Sequence, residues 1–401
     1  MIKRWRLLAC LFALPAISLF SAESETQETA LEANETVQMT NNKKTQKSTT
    51  QKGSTQLPEE QMIMSNATIT PSVAPHIVDG TDTYFNLDFI WWKSVLGGAE
   101  YAYTGVIDAL AAGGGAVAFG ASTGEGTIKR PGFSFQPGFK AGLGVNFDHD
   151  GWDLYAQYTY LASQKETNGV TSAAGSGVGG RNIPNIITNN ALSSDSIPIA
   201  DASCKWKQSF NVIDLELGRD YFISRYLTLR PSAGLKTAWI TEQSIINYTP
   251  DSLFADQSFL QSLNRVQNVL LTYRQNMWGL GIRTALNAGW HFTKNWAIYN
   301  DFAFSALWAD FQIHQKQNLT GTVVGHQTTQ FTEGSYQTVI PVFEAGLGVS
   351  YITWFDCSRY RFEFRAGWEE QIWLDFNHYM TLGGTGNLSL QGLTLKAMLN
   401  F

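Results

Sequence analysis

The chain has 401 residues and a formal charge of −6, which argues against a nucleic acid as its partner. Charged residues make up only 15% of the chain, against about 25% in soluble globular proteins, and aromatic residues reach 13%. This composition favours apolar side chains spread along strands over apolar blocks packed in helices.

The first residues predict the compartment. Lys3, Arg4 and Arg6 precede an apolar run from Leu7 to Phe20, and small residues follow up to Ala22. This pattern predicts a secretory signal peptide over residues 1–22, cleaved near Ala22. Its removal makes the formal charge three units more negative.

The next segment, residues 23–82, is rich in Thr, Gln, Asn, Glu and Lys and has no aromatic residue. Such a segment cannot bury enough apolar surface to offset the entropy of ordering. We therefore expect a disordered periplasmic N-terminal segment, followed by a single domain over residues 83–401.

This domain consists of segments in which apolar and polar residues alternate, which is typical of strands with two different faces. Each is long enough to cross a bilayer as a tilted strand of about 9–11 residues, and no later stretch has the roughly 20 apolar residues of a membrane helix. The clearest segments are 84–92, 138–147, 152–160, 211–219, 227–239, 278–292, 360–370 and 393–401. The sequence therefore predicts an all-β, transmembrane antiparallel up-and-down β-barrel with an even number of strands, about ten.

The connections are of two kinds. Short or modest turns are predicted at 148–151, 220–225, 293–295 and 353–359, and long loops at 96–135, 162–205, 242–273, 313–335 and 376–386. Short turns on one side and long loops on the other indicate a barrel with its short turns in the periplasm. Within the third loop, residues 252–270 have near-helical apolar spacing, which fits either a helix capping the rim or a segment folded into the lumen.

Aromatic residues cluster next to the short turns, where an interfacial girdle is expected. The predicted girdle consists of Phe147, Trp152, Trp290, Phe292, Trp296, Tyr351, Trp354 and Tyr360.

Charged residues of both signs lie opposite the apolar positions of the strands and are expected to face the lumen, because each Arg or Lys facing lipid at mid-depth costs about 2–4 kcal/mol. The predicted pore-lining residues are Asp88, Lys140, Asp153, Asp214, Glu216, Arg230, Lys236, Arg283, Asp301, Glu344, Arg361, Glu363, Arg365 and Glu369. They either pair across strands and plug the barrel or line a wet channel. For a channel, neutralising Arg361 and Arg365 is expected to shift selectivity toward cations.

The last strand has an apolar face of Leu393, Leu395, Ala397, Leu399 and Phe401. A closed barrel has no free edge in lipid, so this strand must pair with the first strand around Tyr84–Trp92. A terminal aromatic residue after alternating apolar residues resembles the signal read by the outer-membrane insertion machinery.

Other motifs point to no enzyme, metal or cofactor. The G-x-G-x-x-G match at 175–180 is followed by Arg-Asn-Ile-Pro in place of a helix, which fits a flexible loop. The triplet at 148–150 fits a solvated turn, and His291 is expected to face inward without an identifiable partner. Cys204 is expected at the outer rim and Cys357 in a periplasmic turn, too far apart for an intrachain disulfide.

Several stretches, above all "IDLELGRDYFISRYLTLRPSAGLKTAWI", resemble the Legionella-type major outer membrane protein family, porin-like barrels also found in chlamydia-like bacteria. The resemblance covers most of residues 84–401. It implies a pore-forming protein of the bacterial outer membrane that admits small polar solutes or ions. The alternative is a narrow closed barrel that acts as a surface adhesin or structural anchor through its long loops. Outer-membrane lipid, the insertion machinery and small polar solutes are the expected partners, with a homo-oligomer as an open alternative.

Overall fold

The structure is a computed structural model and describes residues 82–104, 127–147, 151–171, 199–250, 266–321, 327–356, 359–378 and 386–401. The predicted signal peptide, nearly all of the predicted disordered segment, the Gly-rich stretch at 175–180, the triplet at 148–150 and Cys357 lie outside these residues.

The described residues form thirteen strands. These are β1 (Thr83–Leu96), β2 (Ala102–Thr104), β3 (Thr127–Lys129), β4 (Phe135–Asn146), β5 (Trp152–Thr171), β6 (Ile199–Arg219), β7 (Tyr221–Phe222), β8 (Leu227–Pro250), β9 (Val266–His291), β10 (Trp296–Gly321), β11 (Gln327–Phe355), β12 (Tyr360–Asn377) and β13 (Gly386–Asn400). In this part of the chain, no helix is long and apolar enough to cross a membrane.

Ten of the strands form one closed antiparallel barrel, as predicted. The order around it is β1, β4, β5, β6, β8, β9, β10, β11, β12 and β13, and a pairing of β6 with β8 completes the sheet. The short strand β7 pairs beside β8, and β2 and β3 form a separate hairpin.

The seam between the first and last strands is confirmed. Strands β1 and β13 pair from Tyr84 opposite Asn400 to Leu96 opposite Leu388. At the periplasmic end, the Thr83 amide donates to the Phe401 carbonyl at 3.2 Å, and the Phe401 amide donates to the Thr83 carbonyl at 2.9 Å. These two bonds leave the seam without an open edge at this rim.

Each strand buries its polar face and exposes its apolar face, the reverse of a soluble sheet. On β1, Asn86 and Asp88 are buried, whereas Phe85, Leu87 and Trp91 are about half exposed. This inverted pattern continues around the barrel and gives it the outward apolar band that lipid requires.

Aromatic residues border this band on both sides. Seven of the eight predicted girdle residues lie on the outward face near the short turns: Phe147, Trp152, Trp290, Phe292, Trp296, Tyr351 and Tyr360. Trp354 differs, because it lies an even number of residues from the inward Ser350 and so lines the mouth of the lumen. A second, unpredicted ring lies at the extracellular edge and consists of Trp91, Trp239, Trp278, Trp308 and Trp368.

The predicted loops at 162–205, 242–273 and 313–335 are shorter than expected, because strands β5 to β11 continue well beyond the band. Strand β11 is 29 residues long, far more than a tilted crossing requires. Its first fifteen residues pair only with β10, because pairing with β12 begins at Val342. The extensions form a tall extracellular wall on one side of the barrel. Residues 266–270 of the proposed helical segment belong to β9, and the rest of it lies outside the described residues.

Candidate functional site: the barrel lumen

The periplasmic half of the lumen is polar and holds a cavity of about 560 Å³. All fourteen predicted pore-lining residues lie on the inward face of their strands, and all except Lys236 line this cavity. The cavity reaches the periplasmic rim, where Asp220, Phe222, Trp354 and Asn400 border it.

A continuous network of salt bridges crosses one side of this half. The Arg230 guanidinium contacts Asp153 at 2.6 Å and Glu216 at 3.2 Å. Glu216 accepts from Arg283 at 2.8 Å, and Arg283 contacts Glu344 at 2.7 Å. These residues come from five different strands, so the network joins β5, β6, β8, β9 and β11 across the lumen.

Lys236 is the most deeply buried member of this network, with a side chain that is 0% exposed. Its ammonium group contacts Asp214 at 2.6 Å and Glu344 at 2.8 Å. Because a buried charge is costly unless it is paired and hydrogen-bonded, these two carboxylates make the position of Lys236 possible.

A second charged group lies on β12 and β13. The buried carboxylate of Glu363 is shared by Arg361, at 2.7 Å, and Arg365. Arg365 also lies 3.9 Å from Asp301. Separately, Lys140 forms a salt bridge with Glu369. Most of the predicted lumen charges are thus paired, the outcome expected of a plugged barrel.

Two tyrosines fill the lumen wall because glycines lie beneath them. The rings of Tyr84 and Tyr155 stack with centroids 5.7 Å apart. A Cβ atom at Gly144 would overlap the Tyr84 ring, and one at Gly142 would overlap Tyr155. Glycine is required at both positions because the rings lie flat against the backbone of β4.

The extracellular half of the lumen is filled by an apolar core. Its inward side chains are buried, and their exposure is between 0% and 1% for the central ones: Ile90, Trp92, Phe210, Val212, Ile240, Leu307, Ala309, Val342, Trp373 and Leu390. Since water cannot enter such packing, the described residues leave no open passage through this half.

Two non-barrel segments are held against this core. The Tyr248 hydroxyl donates to the Tyr101 carbonyl at 2.6 Å. On the other side, Gln275 donates to the Phe376 carbonyl and accepts from the His378 amide, both at 2.9 Å. These bonds close the outer end of the lumen with residues that flank the extracellular connections.

A row of buried polar residues crosses the extracellular core. Ser163, Gln208, Glu242 and Gln275 are neighbours in register on β5, β6, β8 and β9. Gln208 donates to one oxygen of Glu242 at 3.0 Å, and the other oxygen has no hydrogen-bond partner among the described residues. Glu242 lies beyond Trp239, outside the lipid-facing band, and burial raises its pKa to about 8.

This pKa predicts that stability falls as pH rises. The folded protein holds a proton on Glu242 that the unfolded chain releases near pH 4, so rising pH favours unfolding until about pH 8. Each pKa unit corresponds to about 1.4 kcal/mol, so the loss amounts to several kcal/mol. In urea unfolding, we expect the midpoint to fall between about pH 7 and pH 8 for the wild type and to change much less for Glu242→Gln.

That pH range isolates Glu242. Burial raises the pKa of Asp220 only to about 6 and that of Cys204 to about 12, so both titrate outside it. Glu333→Gln is the matched control, because the Glu333 side chain is 73% exposed, and it should keep the wild-type slope. A Glu242→Gln variant with the wild-type slope would contradict the prediction.

His291 faces inward near the periplasmic rim, and its Nε2 lies 3.3 Å from the Thr228 hydroxyl. Over the ranges that the structure describes, no group of three or more His, Cys, Asp or Glu residues is placed to hold a metal ion.

Sequence reasoning missed the residues that close the lumen. Trp92 follows the outward Trp91 and therefore faces inward by simple alternation, so its role could have been found. Glu242 and Gln208 could not, because an alternating pattern does not distinguish an inward acid in a wet channel from one in a packed core.

The solved structures with a similar fold are outer-membrane proteins. The outer membrane protease OmpT from Escherichia coli is 10% identical, with 83% of this chain and 99% of that chain covered and a TM-score of 0.41. The P. putida toluene transporter TodX is 12% identical, with 82% and 92% covered and a TM-score of 0.25. A Pseudomonas aeruginosa FadL homologue is 8% identical, with 80% and 89% covered and a TM-score of 0.24. At these identities and scores, the likenesses carry no argument about function.

The sequence itself is more specific. No curated protein matches it. The model of the family described as Legionella pneumophila major outer membrane protein precursor matches residues 80–401, which include every described strand. The chain therefore belongs to the Legionella major outer membrane protein family and is a β-barrel protein of the bacterial outer membrane.

Proposed function

We propose that this protein is a closed outer-membrane barrel in its resting form and serves as a surface adhesin or structural anchor. The observation that carries the proposal is the apolar core, in which Trp92, Phe210 and Trp373 are fully buried across the lumen. Ten strands are close to the eight at which side chains alone fill a barrel. The tall extracellular wall supplies the surface for display, and the proposal includes no catalytic activity.

A second candidate is a channel for passive diffusion of small polar solutes or ions. The specific observation in its favour is the charged cavity that reaches the periplasmic rim. A solute entering this cavity would meet Arg361, Glu363 and Arg365 before it reached the apolar core. In this reading, the core must open for passage.

Single-channel recording distinguishes the two. Purified wild-type protein, shown to be folded by its heat-modifiable mobility, is expected to give no conductance steps in planar bilayers. A stable conducting level in the wild type would overturn the closed-barrel proposal and establish the channel.

If the wild type conducts, the charge of the cavity can be tested. Neutralising Arg361 and Arg365 together should then shift ion selectivity toward cations, because both side chains line the cavity. The matched control is Arg225→Gln with Arg359→Gln, which removes equal charge from periplasmic turns outside the lumen. An equal shift in the control pair would show that the lumen arginines do not set selectivity.

We also propose that residues 1–22 are removed on export and that the insertion machinery assembles the barrel.

A further inference from the structure

The outer surface of the tall extracellular wall carries basic residues just above the aromatic ring. Trp239 and Trp278 are paired in register on β8 and β9 and mark the edge of the lipid-facing band. Arg274 lies four residues beyond Trp278, which places it roughly 9 Å above the ring for a strand tilted by about 45°. This height corresponds to the headgroup layer of the outer leaflet.

Strand register brings further cations to the same surface. Lys207 is opposite Gln243, and Gln243 is opposite Arg274, so Lys207 and Arg274 are two strands apart, about 10 Å. Lys316 lies opposite Thr272, diagonal to Arg274 on the neighbouring strand β10. Lys207, Arg274 and Lys316 form what we term the basic patch.

The basic patch has no acidic partners of its own. Within the described ranges, no carboxylate lies within 4.0 Å of any of its three side chains. Arg274 donates to the Asn276 side chain at 3.2 Å, and the Lys316 ammonium lies 5.2 Å from the Phe331 ring centre. Both contacts leave donors free to bind an anion.

The acids on this surface are engaged elsewhere. Glu166 pairs with Lys205 at 3.0 Å, and Glu333 contacts His314 at 3.2 Å. Asp310 accepts from the Gln337 amide at 3.2 Å. The unpaired positive charge is thus concentrated on the basic patch.

The rest of the barrel has no equivalent patch among its described residues. On the opposite, shorter side, the outward Lys93 is alone above Trp91, and the acidic Glu370 lies two strands away in the same row. The charge is therefore confined to one side of the barrel, at the height of headgroups.

We propose that the basic patch binds the phosphate groups of a phosphorylated glycolipid in the outer leaflet. Lys207 and Arg274 are spaced to contact separate phosphates or both sides of one headgroup, and Lys316 approaches from above. The exposed Phe331 ring beside Lys316 supplies an apolar contact for the sugar or acyl portion. The proposal depends on the outer-membrane location and not on whether the barrel conducts.

The test uses full-length folded protein in zwitterionic detergent, with bisphosphorylated lipid A as the probe. The variant carries Lys207→Gln, Arg274→Gln and Lys316→Gln, and the control carries Lys93→Gln, Arg225→Gln and Arg359→Gln. Each basic residue near an anionic lipid surface contributes about a factor of five, so the patch variant should bind lipid A about a hundredfold more weakly. The control should bind within about threefold of the wild type.

Two further measurements decide the source of the interaction. Phosphate-free lipid A and inorganic phosphate should each bind the wild type far more weakly than the intact lipid. Because all three side chains point outward, the patch variant should keep the heat-modifiable mobility of the wild type. Equal binding by the patch variant and the control would overturn the proposal, as would equal binding of phosphate-free lipid A or of inorganic phosphate.

Discussion

Replacing Phe401 by alanine is expected to reduce the membrane-inserted, heat-modifiable fraction of the protein at least severalfold, while secretion to the periplasm continues. Phe401 exposes its ring at the periplasmic rim, and its backbone is bonded to Thr83 on the first strand. The apolar face of β13 that precedes it resembles the signal for barrel insertion. Loss of the ring should therefore impair recognition and closure, the two steps that no other strand can replace.

Deleting Phe401 should have a larger effect than Phe401→Ala. The deletion also removes the two backbone hydrogen bonds with Thr83, at 3.2 Å and 2.9 Å. Unpaired backbone groups at the lipid boundary cost several kcal/mol each.

The matched control is Phe292→Ala. Phe292 is similarly exposed at the same rim, but it lies in the turn between β9 and β10 and not on the closing strand. It should lower stability slightly and leave insertion intact. If Phe401→Ala and Phe292→Ala give equal amounts of inserted protein, Phe401 is only a girdle residue.

The seam, the strand number and the lumen charges could be predicted because they depend on period-two alternation within the lipid band. There, lipid requires apolar side chains at every second position, so the sequence of β1 or β12 records its two faces without ambiguity. Asp214 and Glu216 were placed inward for this reason, and both lie there.

The extracellular wall could not be predicted in the same way. Above the band both faces tolerate polar residues, and along β8 the inward positions run through Ile240, Glu242, Ser244 and Ile246. Without a lipid constraint the alternation weakens, and the segment reads as a loop. Residues 266–270 were read as part of a helical pattern because a short apolar run fits both periods.

The position of Trp354 shows a different kind of error. Its proximity to a short turn suggested the girdle, but Tyr351 and Trp354 are three residues apart and therefore lie on opposite faces of β11. Alternation was the stronger constraint, and Trp354 lines the cavity mouth, with the Arg361 guanidinium 6.0 Å from its ring centre.

Pairing across the lumen could not be deduced from the faces alone, because the partners come from strands that are distant in sequence. Lys236 on β8 contacts Glu344 on β11, which is two strands beyond its nearest neighbour β9. Such contacts require a narrow barrel, and a wider one with the same inward charges would leave them hydrated.

Replacing Lys236 by methionine is expected to destabilise the barrel by about 3–5 kcal/mol. Methionine preserves the length and apolar stem of lysine, so packing near Trp373 changes little. The loss is electrostatic, because Asp214 is left with Arg283 at 3.8 Å and Glu344 keeps only Arg283. Urea unfolding of protein inserted in phospholipid vesicles, followed by tryptophan fluorescence, should show a lower midpoint.

A compensated variant separates lost charge from lost packing. When Asp214→Asn and Glu344→Gln are added to Lys236→Met, no unpaired carboxylate remains around the vacated site, and Arg283 keeps its 2.8 Å contact with Glu216. Replacing all members of a buried ionic group is often close to neutral, so most of the stability should return. Lys294→Met, in an exposed turn, is the control for loss of one lysine and should match the wild type. If the compensated variant is as unstable as Lys236→Met alone, the packing of the lysine stem, and not its charge, holds this part of the lumen together.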